Sequence, residues 1–185
     1  MTSAASVGDD DRLRLFLALQ LPESTLDILE RWRDEHLTAG RAVARDALHI
    51  TLAFLGSRPA RELAPIVDVL REAAAGSGPL ALEPTAWRET RSVGMVVLRD
   101  EGGNATALAG RVHERLSGLG VYEPEARPWL PHITVLRFRQ RPRLAPPLPE
   151  TGTFVPSGAA AYLSRLHPSG ARYEVLERVS LNAGG

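Results

Sequence analysis

The chain has no cysteine and no lysine. Without cysteine there is no disulfide framework, no thiolate metal centre and no cysteine nucleophile. Without lysine, all 22 basic residues are arginine, balanced by 22 Asp and Glu to a formal net charge of zero. A neutral chain exerts no global pull on nucleic acid, yet arginine is the side chain that grips phosphate with a planar fork. Long apolar runs are missing too. Nothing approaches the ~20 residues of a membrane-spanning helix, and residues 1–11 are polar and acidic, with no apolar segment of signal-peptide kind. The expectation is a cytoplasmic protein that engages no membrane, with residues 1–11 as a disordered tail and residues 12–185 as one domain. No heptads or long exposed apolar stripe argue for an oligomer, so a monomer is the default. Catalytic signatures are also absent: no H-E-x-x-H zinc site, no G-x-S-x-G nucleophile elbow, no glycine-rich loop ending in G-K-[ST].

What is present is one short pattern, written twice. His49-Ile50-Thr51-Leu52 and His132-Ile133-Thr134-Val135 each read His, apolar, Thr, apolar, and the two histidines stand 83 positions apart. In a strand, side chains alternate between faces. Each copy therefore offers an imidazole and a hydroxyl side by side, with apolar residues on the opposite face. One copy alone fits an ordinary half-buried strand. Two copies in matching contexts point to a site.

The contexts do match. Residues 13–21 read as a strand, and Pro22-Glu23-Ser24 opens a helix to about Thr38, with Leu26, Leu29, Trp32 and Leu37 at helical spacing. The first motif strand follows over 48–55, closed by Gly56. A second helix spans 59–75. Residues 80–87 and 93–99 read as strands around a polar turn, and a third helix runs from about Asn104 to Ser117. Pro128 and Pro131 force extended backbone ahead of the second motif strand, 130–138. Residues 139–156 are too broken by proline for regular structure and read as an ordered loop or crossover. Two strands, 159–166 and 173–181, close the chain around His167-Pro168-Ser169-Gly170. Strand, helix, motif strand thus occurs twice, and two such halves face to face would place both His-Thr pairs across one cleft. Of the other histidines, His36 suits a helix C-terminus, His113 lies beside an apolar helical stripe, and His167 sits in a turn.

Histidine titrates near pH ~6.5, so a facing pair, one neutral and one protonated, makes a general base and a general acid. A threonine hydroxyl beside each can hold an anionic oxygen. The matching reaction is in-line displacement at phosphorus. A cyclic phosphodiester suits it, because its alkoxide leaving group needs a proton. A hydrolytic metal site fits less well: Asp46 precedes His49, but nothing equivalent precedes His132. No metal and no cofactor are expected.

At these residues the chain resembles the two-histidine (2H) phosphoesterase superfamily, and within it the bacterial RNA 2′,3′-cyclic phosphodiesterases, also called 2′-5′ RNA ligases. R-L-F-L-A-L-Q-L-P (14–22) looks like the family's opening strand, L-H-I-T-L-A-F-L-G (48–56) like its first motif and R-P-W-L-P-H-I-T-V-L-R (127–137) like its second. The segment 161–176, with Ser164 and Tyr173, looks like its closing hairpin. The resemblance implies an α+β, bilobal phosphodiesterase fold: two antiparallel β-sheets around a central cleft, outer helices and a pseudo-two-fold repeat. It implies metal-independent opening of an RNA 2′,3′-cyclic phosphate end to a 2′-phosphate, on tRNA-like or oligonucleotide RNA, with 2′-5′ ligation as the reverse direction. Carried over by residue, His49 is the proton donor to the departing 3′ oxygen and His132 the proton acceptor from water, while Thr51, Thr134 and Arg137 bind phosphate. Strict alternation objects to Arg137: five residues after His132 it falls on the opposite face, unless a bulge re-aims it. Phe16 is a candidate cleft wall, though plain core is the stronger reading. The arginines of 139–143 are a candidate RNA-steering cluster or a solvated loop. Two alternatives stay open: a cyclic phosphodiesterase of a small nucleotide metabolite, and a non-catalytic module binding RNA ends or nucleotides.

Overall fold

The computed structural model describes Gly8 and residues 11–181. The expected N-terminal tail therefore lies, apart from Gly8 and Asp11, outside the described residues. Eight strands form two four-stranded sheets, antiparallel throughout. One sheet contains β1 (Arg12–Gln20), β3 (His49–Pro59), β7 (Gly158–Arg165) and β8 (Arg172–Val179) in the order β3-β1-β7-β8. The other contains β2 (Arg41–Ala42), β4 (Leu82–Glu89), β5 (Val93–Asp100) and β6 (His132–Arg137) in the order β2-β6-β5-β4. Three helices, α1 (Glu23–His36), α2 (Leu63–Ala75) and α3 (Asn104–Gly118), complete the α+β fold.

β1 reads as an unbroken apolar strand because it is buried on both faces. Leu15, Leu17 and Leu19 join the main core with the apolar sides of the helices, Leu29, Ile66, Leu70, Leu108 and Leu116 among them. Phe16 and Ala18, on the other face, pack with Ala160 and Tyr162 in a second, smaller cluster. That second face is the one that meets the cleft. Each fully buried Leu or Ile removes apolar surface worth roughly 1.5–3 kcal/mol, so the main core holds the sheets in place while the small cluster shapes the site.

Three details depart from the sequence reading. Gly56 does not close the first motif strand; β3 continues to Pro59. Gly56 instead takes φ +67, next to a register shift opposite Leu15/Phe16, so the glycine marks a bulge rather than an end. The helix expected from residue 59 starts with a 3₁₀ turn over 60–62, and α-helix begins at Leu63, with Pro65 in the first turn, where a missing N–H costs nothing. The two-residue strand β2 escapes the sequence reading, because a pair of residues carries no periodicity.

The proline-rich segment 139–156 is an ordered loop without regular strand, joined to β4 by an isolated bridge between Phe154 and Leu82. Its anchor is Glu89 on β4. The buried carboxylate accepts hydrogen bonds from the backbone N–H of Leu144 (2.7 Å) and Arg143 (3.0 Å) and from Arg141 Nε (3.1 Å). Burial alone would raise the Glu89 pKa; these donors hold it below the ordinary carboxylate range. Arg143 adopts φ 58, which points its N–H and the next one toward the same anion, as in a backbone nest. Arg141 of the expected RNA-steering cluster is therefore engaged in this anchor.

Candidate active site

The two motifs lie on β3 and β6, and the structure brings both to one cleft of about 640 Å³. His49, Thr51, His132, Thr134 and Arg137 all line it, together with Phe54, Tyr173 and Arg41. The five residues singled out in the sequence are thus collected in one place.

Both motif strands carry the same irregularity. Opposite β1, Ala18 pairs with Thr51 and Leu17 with Ala53, so Leu52 is the extra residue. Opposite β5, Met95 pairs with Thr134 and Gly94 with Leu136, so Val135 is extra. A bulge at the fourth position resets the alternation by one residue. Burial follows in step: the first and third residues are half-buried, the second, fourth and fifth buried, and the sixth exposed, in both strands. The sixth residues are Phe54 and Arg137. The bulge is the physical reason that Arg137 returns to the face of His132 and Thr134, against strict alternation. It also makes Phe54 the counterpart of Arg137, which the sequence reading missed. The only signal in the sequence was the repeat itself, extended two residues further.

Each imidazole is clamped in the same way. His49 Nδ1 donates to the Ala47 carbonyl (2.8 Å) and His132 Nδ1 to the Leu130 carbonyl (2.8 Å). With the Nδ1 proton committed to backbone, Nε2 is left to work in the cleft. His49 Nε2 lies 3.1 Å from Thr51 Oγ1, which donates to it when the ring is neutral. The surroundings of the two rings differ. His49 packs against Phe16 (centroids 4.9 Å apart), Tyr173 (5.5 Å) and Tyr162 (6.0 Å). Phe16 is thus both buried core and a wall of His49. Withdrawal from water is the main cause that lowers the His49 pKa to about 4; the Ala47 hydrogen bond opposes it, and the positive charges of His132 and Arg137 add to it.

The outer edges of the two strands are covered reciprocally. β6 is covered by the first half of the chain: Arg41 pairs with Arg137, Ala42 with Leu136, and Val43 N–H donates to the Val135 carbonyl (3.0 Å). β3, an edge strand, is covered by side chains from the second half. Trp129 Nε1 donates to the Thr51 carbonyl (2.9 Å) and His113 Nε2 to the Leu52 carbonyl (2.7 Å). His113, stacked on Tyr122, is therefore structural. His36 lies at the end of α1 near Glu35 (3.8 Å), and His167 stays exposed in its turn, bonded to Ser169. Arg41 reaches across the cleft mouth to the Ser169 carbonyl, over Gly170, whose φ of +117 is a backbone conformation that side-chain-bearing residues rarely adopt. Among the described residues no group of three or more His, Asp or Glu is arranged to hold a metal ion, and no helix is long and apolar enough to cross a membrane.

The arrangement, two imidazoles clamped through Nδ1 beside two hydroxyls and a guanidinium, suits an anion that exchanges protons on two sides. Known proteins have similar chains and folds. An RNA 2′,3′-cyclic phosphodiesterase of Escherichia coli is 29% identical over 171 residues, 91% of this chain and 96% of the relative. One of Thermus thermophilus is 30% identical over 185 residues, 91% of this chain and 90% of the relative. Among solved structures, Escherichia coli LigT complexed with 3′-AMP superposes with a TM-score of 0.78 at 26% identity, covering 94% of this chain and all of that one. A Thermus thermophilus structure gives 0.72 at 31% identity, covering 91% and 98%. The two sheets and their helices are those of the 2H phosphoesterases, and the expected fold class holds. A family model matches residues 21–167, a span that includes both motif strands, and the chain belongs to the 2′-5′ RNA ligase superfamily.

Proposed function

We propose that residues 12–185 form a single phosphodiesterase domain that hydrolyses the 2′,3′-cyclic phosphate at an RNA end to a 2′-phosphate, through His49 and His132. The observation that carries this reading is the pair of identically clamped histidines, each with Nδ1 on a backbone carbonyl two residues back and a threonine two residues on, lining one cleft. In the reaction His132 Nε2 takes a proton from the attacking water. The new O–P bond forms in line with the P–O3′ bond that breaks, and His49 Nε2 gives its proton to O3′. Thr51, Thr134 and Arg137 hold the non-bridging oxygens as charge grows on them.

The proton on His49 has to come with the substrate. In the empty cleft this ring is neutral at pH 7, with a pKa of about 4. A cyclic phosphodiester brings one negative charge into a desolvated space where the Arg137 cation otherwise disfavours a second positive charge. Its charge favours the imidazolium and arms the acid only when there is something to protonate. The relatives' RNA substrates agree in kind with a cleft whose charge is carried by arginine.

The test is a short RNA with a 2′,3′-cyclic phosphate end, incubated with EDTA, with 2′- and 3′-phosphate products resolved. The expected result is the 2′-phosphate from wild type and none from His49→Ala or His132→Ala. Activity that requires added metal, or full activity in either variant, refutes the mechanism. A cyclic phosphate whose 3′ bridging atom is sulfur separates the roles. Thiolate leaves without a proton, so this substrate rescues His49→Ala and leaves His132→Ala dead.

A further inference from the structure

The two carbonyls that clamp the histidines are held in place by different means. Leu130, whose carbonyl takes the Nδ1 proton of His132, stands between Pro128 and Pro131, and the proline rings restrict its backbone. The Pro131 carbonyl is tied in turn to the Leu98 N–H of β5 (2.9 Å). Ala47, whose carbonyl takes the Nδ1 proton of His49, ends a three-residue 3₁₀ turn, Arg45–Ala47. Such a turn has poor hydrogen-bond geometry and little stability of its own. Its backbone bonds are local, from Ala47 N–H to the Ala44 carbonyl (2.9 Å) and from Leu48 N–H to the Arg45 carbonyl (3.2 Å).

Arg45 fastens this turn to α1. Its guanidinium donates to Asp27 (2.8 Å), to Glu30 (2.5 Å) and to Glu23. The three carboxylates stand at positions i, i+4 and i+7 of the helix, on one face. The same helix supplies Arg33, whose Nη1 donates to the Val43 carbonyl (2.7 Å). The segment 43–47, which walls the cleft beside His49, is thus held from behind by α1. A single exposed ion pair holds little energy, but several charges joined in one network fix a geometry. A planar fork engaged by three carboxylates has few other places to go. Neither Arg45 nor its three partners line the cleft, so none of them touches what binds there.

We infer that Arg45 is a positioning residue for His49: by stapling the 45–47 turn to α1 it holds the Ala47 carbonyl where it fixes the Nδ1 proton, and so keeps Nε2 aimed into the cleft as the acid. The inference rests on the proton role given to His49 above. The His132 clamp, built from prolines and backbone pairing, is independent of this staple.

The staple can be broken from either side, by Arg45→Ala at the turn or by Asp27→Asn/Glu30→Gln at the helix. Arg99→Ala, which removes an exposed arginine from Glu83 and Glu101 elsewhere, is the control. The first readout needs no substrate: proton–nitrogen correlation NMR of the imidazoles at pH 7, where the His49 ring is neutral. Wild-type His49 is expected to carry its proton on Nδ1. Both staple variants should move part of that population to Nε2 and leave His132 as it was. The second readout is turnover of the cyclic-phosphate RNA and of its 3′-sulfur analogue. Both staple variants are expected to lower kcat on the oxygen substrate about tenfold with KM unchanged, and to leave kcat on the sulfur substrate, whose leaving group needs no proton, at the wild-type value. An unmoved His49 proton, an equal movement at His132 or in Arg99→Ala, or equal kcat losses on the two substrates overturns the staple. Wild type inert on the cyclic end overturns the phosphodiesterase reading, and the NMR readout then decides the staple by itself.

Discussion

β3 and β6 carry the same six-residue cassette: His, Ile, Thr, a bulged aliphatic, a buried aliphatic and an exposed sixth residue. Backbone, clamp and threonine are repeated; the surroundings are not. His49 stands against three aromatic rings of its sheet and loses water. Among the described residues β6 has no equivalent wall: its sheet neighbours at the cleft are Val93 and the short strand β2. The sixth residue is an aromatic in one strand and a cation in the other. On the proposed reading, an acid and a base are made from one duplicated unit by giving identical backbones different surroundings.

Removing either imidazole is the harshest way to test that asymmetry. His49→Ala and His132→Ala are each expected to lower kcat by about 10²–10⁴-fold with little change in KM, as loss of a proton-transfer group does. Steady-state kinetics on a cyclic-phosphate RNA reads this directly. A loss confined to KM would mean that the rings bind rather than react.

The sixth positions come next. Arg137→Ala removes a charge that faces the growing negative charge on phosphorus, and should cost about 10²–10³-fold in kcat/KM, mostly in kcat. Phe54→Ala removes an exposed ring from the cleft wall and no charge, and should instead raise KM for the cyclic-phosphate RNA, by up to the ~1–3 kcal/mol of one stacked base, and leave kcat close to wild type. Equal kcat effects at the two positions would erase the distinction between them.

The aromatic wall is tested by Tyr173→Ala. Opening the wall returns water to His49, and its pKa should rise from about 4 toward the ordinary ~6.5, followed by NMR titration of the ring. The sign for stability follows. With a depressed folded pKa, the unfolded chain binds more protons between pH ~6.5 and about 4, so stability falls as pH drops through that window. The variant should show a shallower fall in denaturant midpoint over the same range. An unmoved His49 titration would assign the shift to the charges of His132 and Arg137 instead.

The smallest effect concerns the edges. Trp129→Phe keeps the ring and removes the Nε1 donor, leaving the Thr51 carbonyl on β3 without that partner. A cost of about 1–3 kcal/mol is expected in chemical denaturation, with β6, covered by backbone pairing, keeping its amide-exchange protection. Loss of protection at both strands alike would show one cooperative edge rather than two.

Much of this protein is readable before its fold. The His-x-Thr repeat, the order strand, helix, motif strand, and the absence of nucleophile and metal signatures are local properties, carried by residue type and spacing of two to four positions. They locate His49, Thr51, His132 and Thr134, and the helices to within a few residues. Arg137 can be named by resemblance, but its direction cannot be derived. Alternation is a local rule, and a bulge is a count of residues against a partner strand distant in sequence. Leu52 and Val135 look like any other strand aliphatics until β1 and β5 are laid beside them. For the same reason Phe54 is not recognisable as the partner of Arg137, nor Trp129 and His113 as the cover of the first motif strand. Proton affinity is equally hidden: two histidines in near-identical sequences differ in their surroundings because Phe16, Tyr162 and Tyr173 come from three other strands of one sheet. The sequence by itself determined which groups are able to do chemistry, since that depends on what the side chains are. The tertiary structure decided where each one points, how much water it keeps and which cavity it serves, since those depend on residues that only folding makes neighbours.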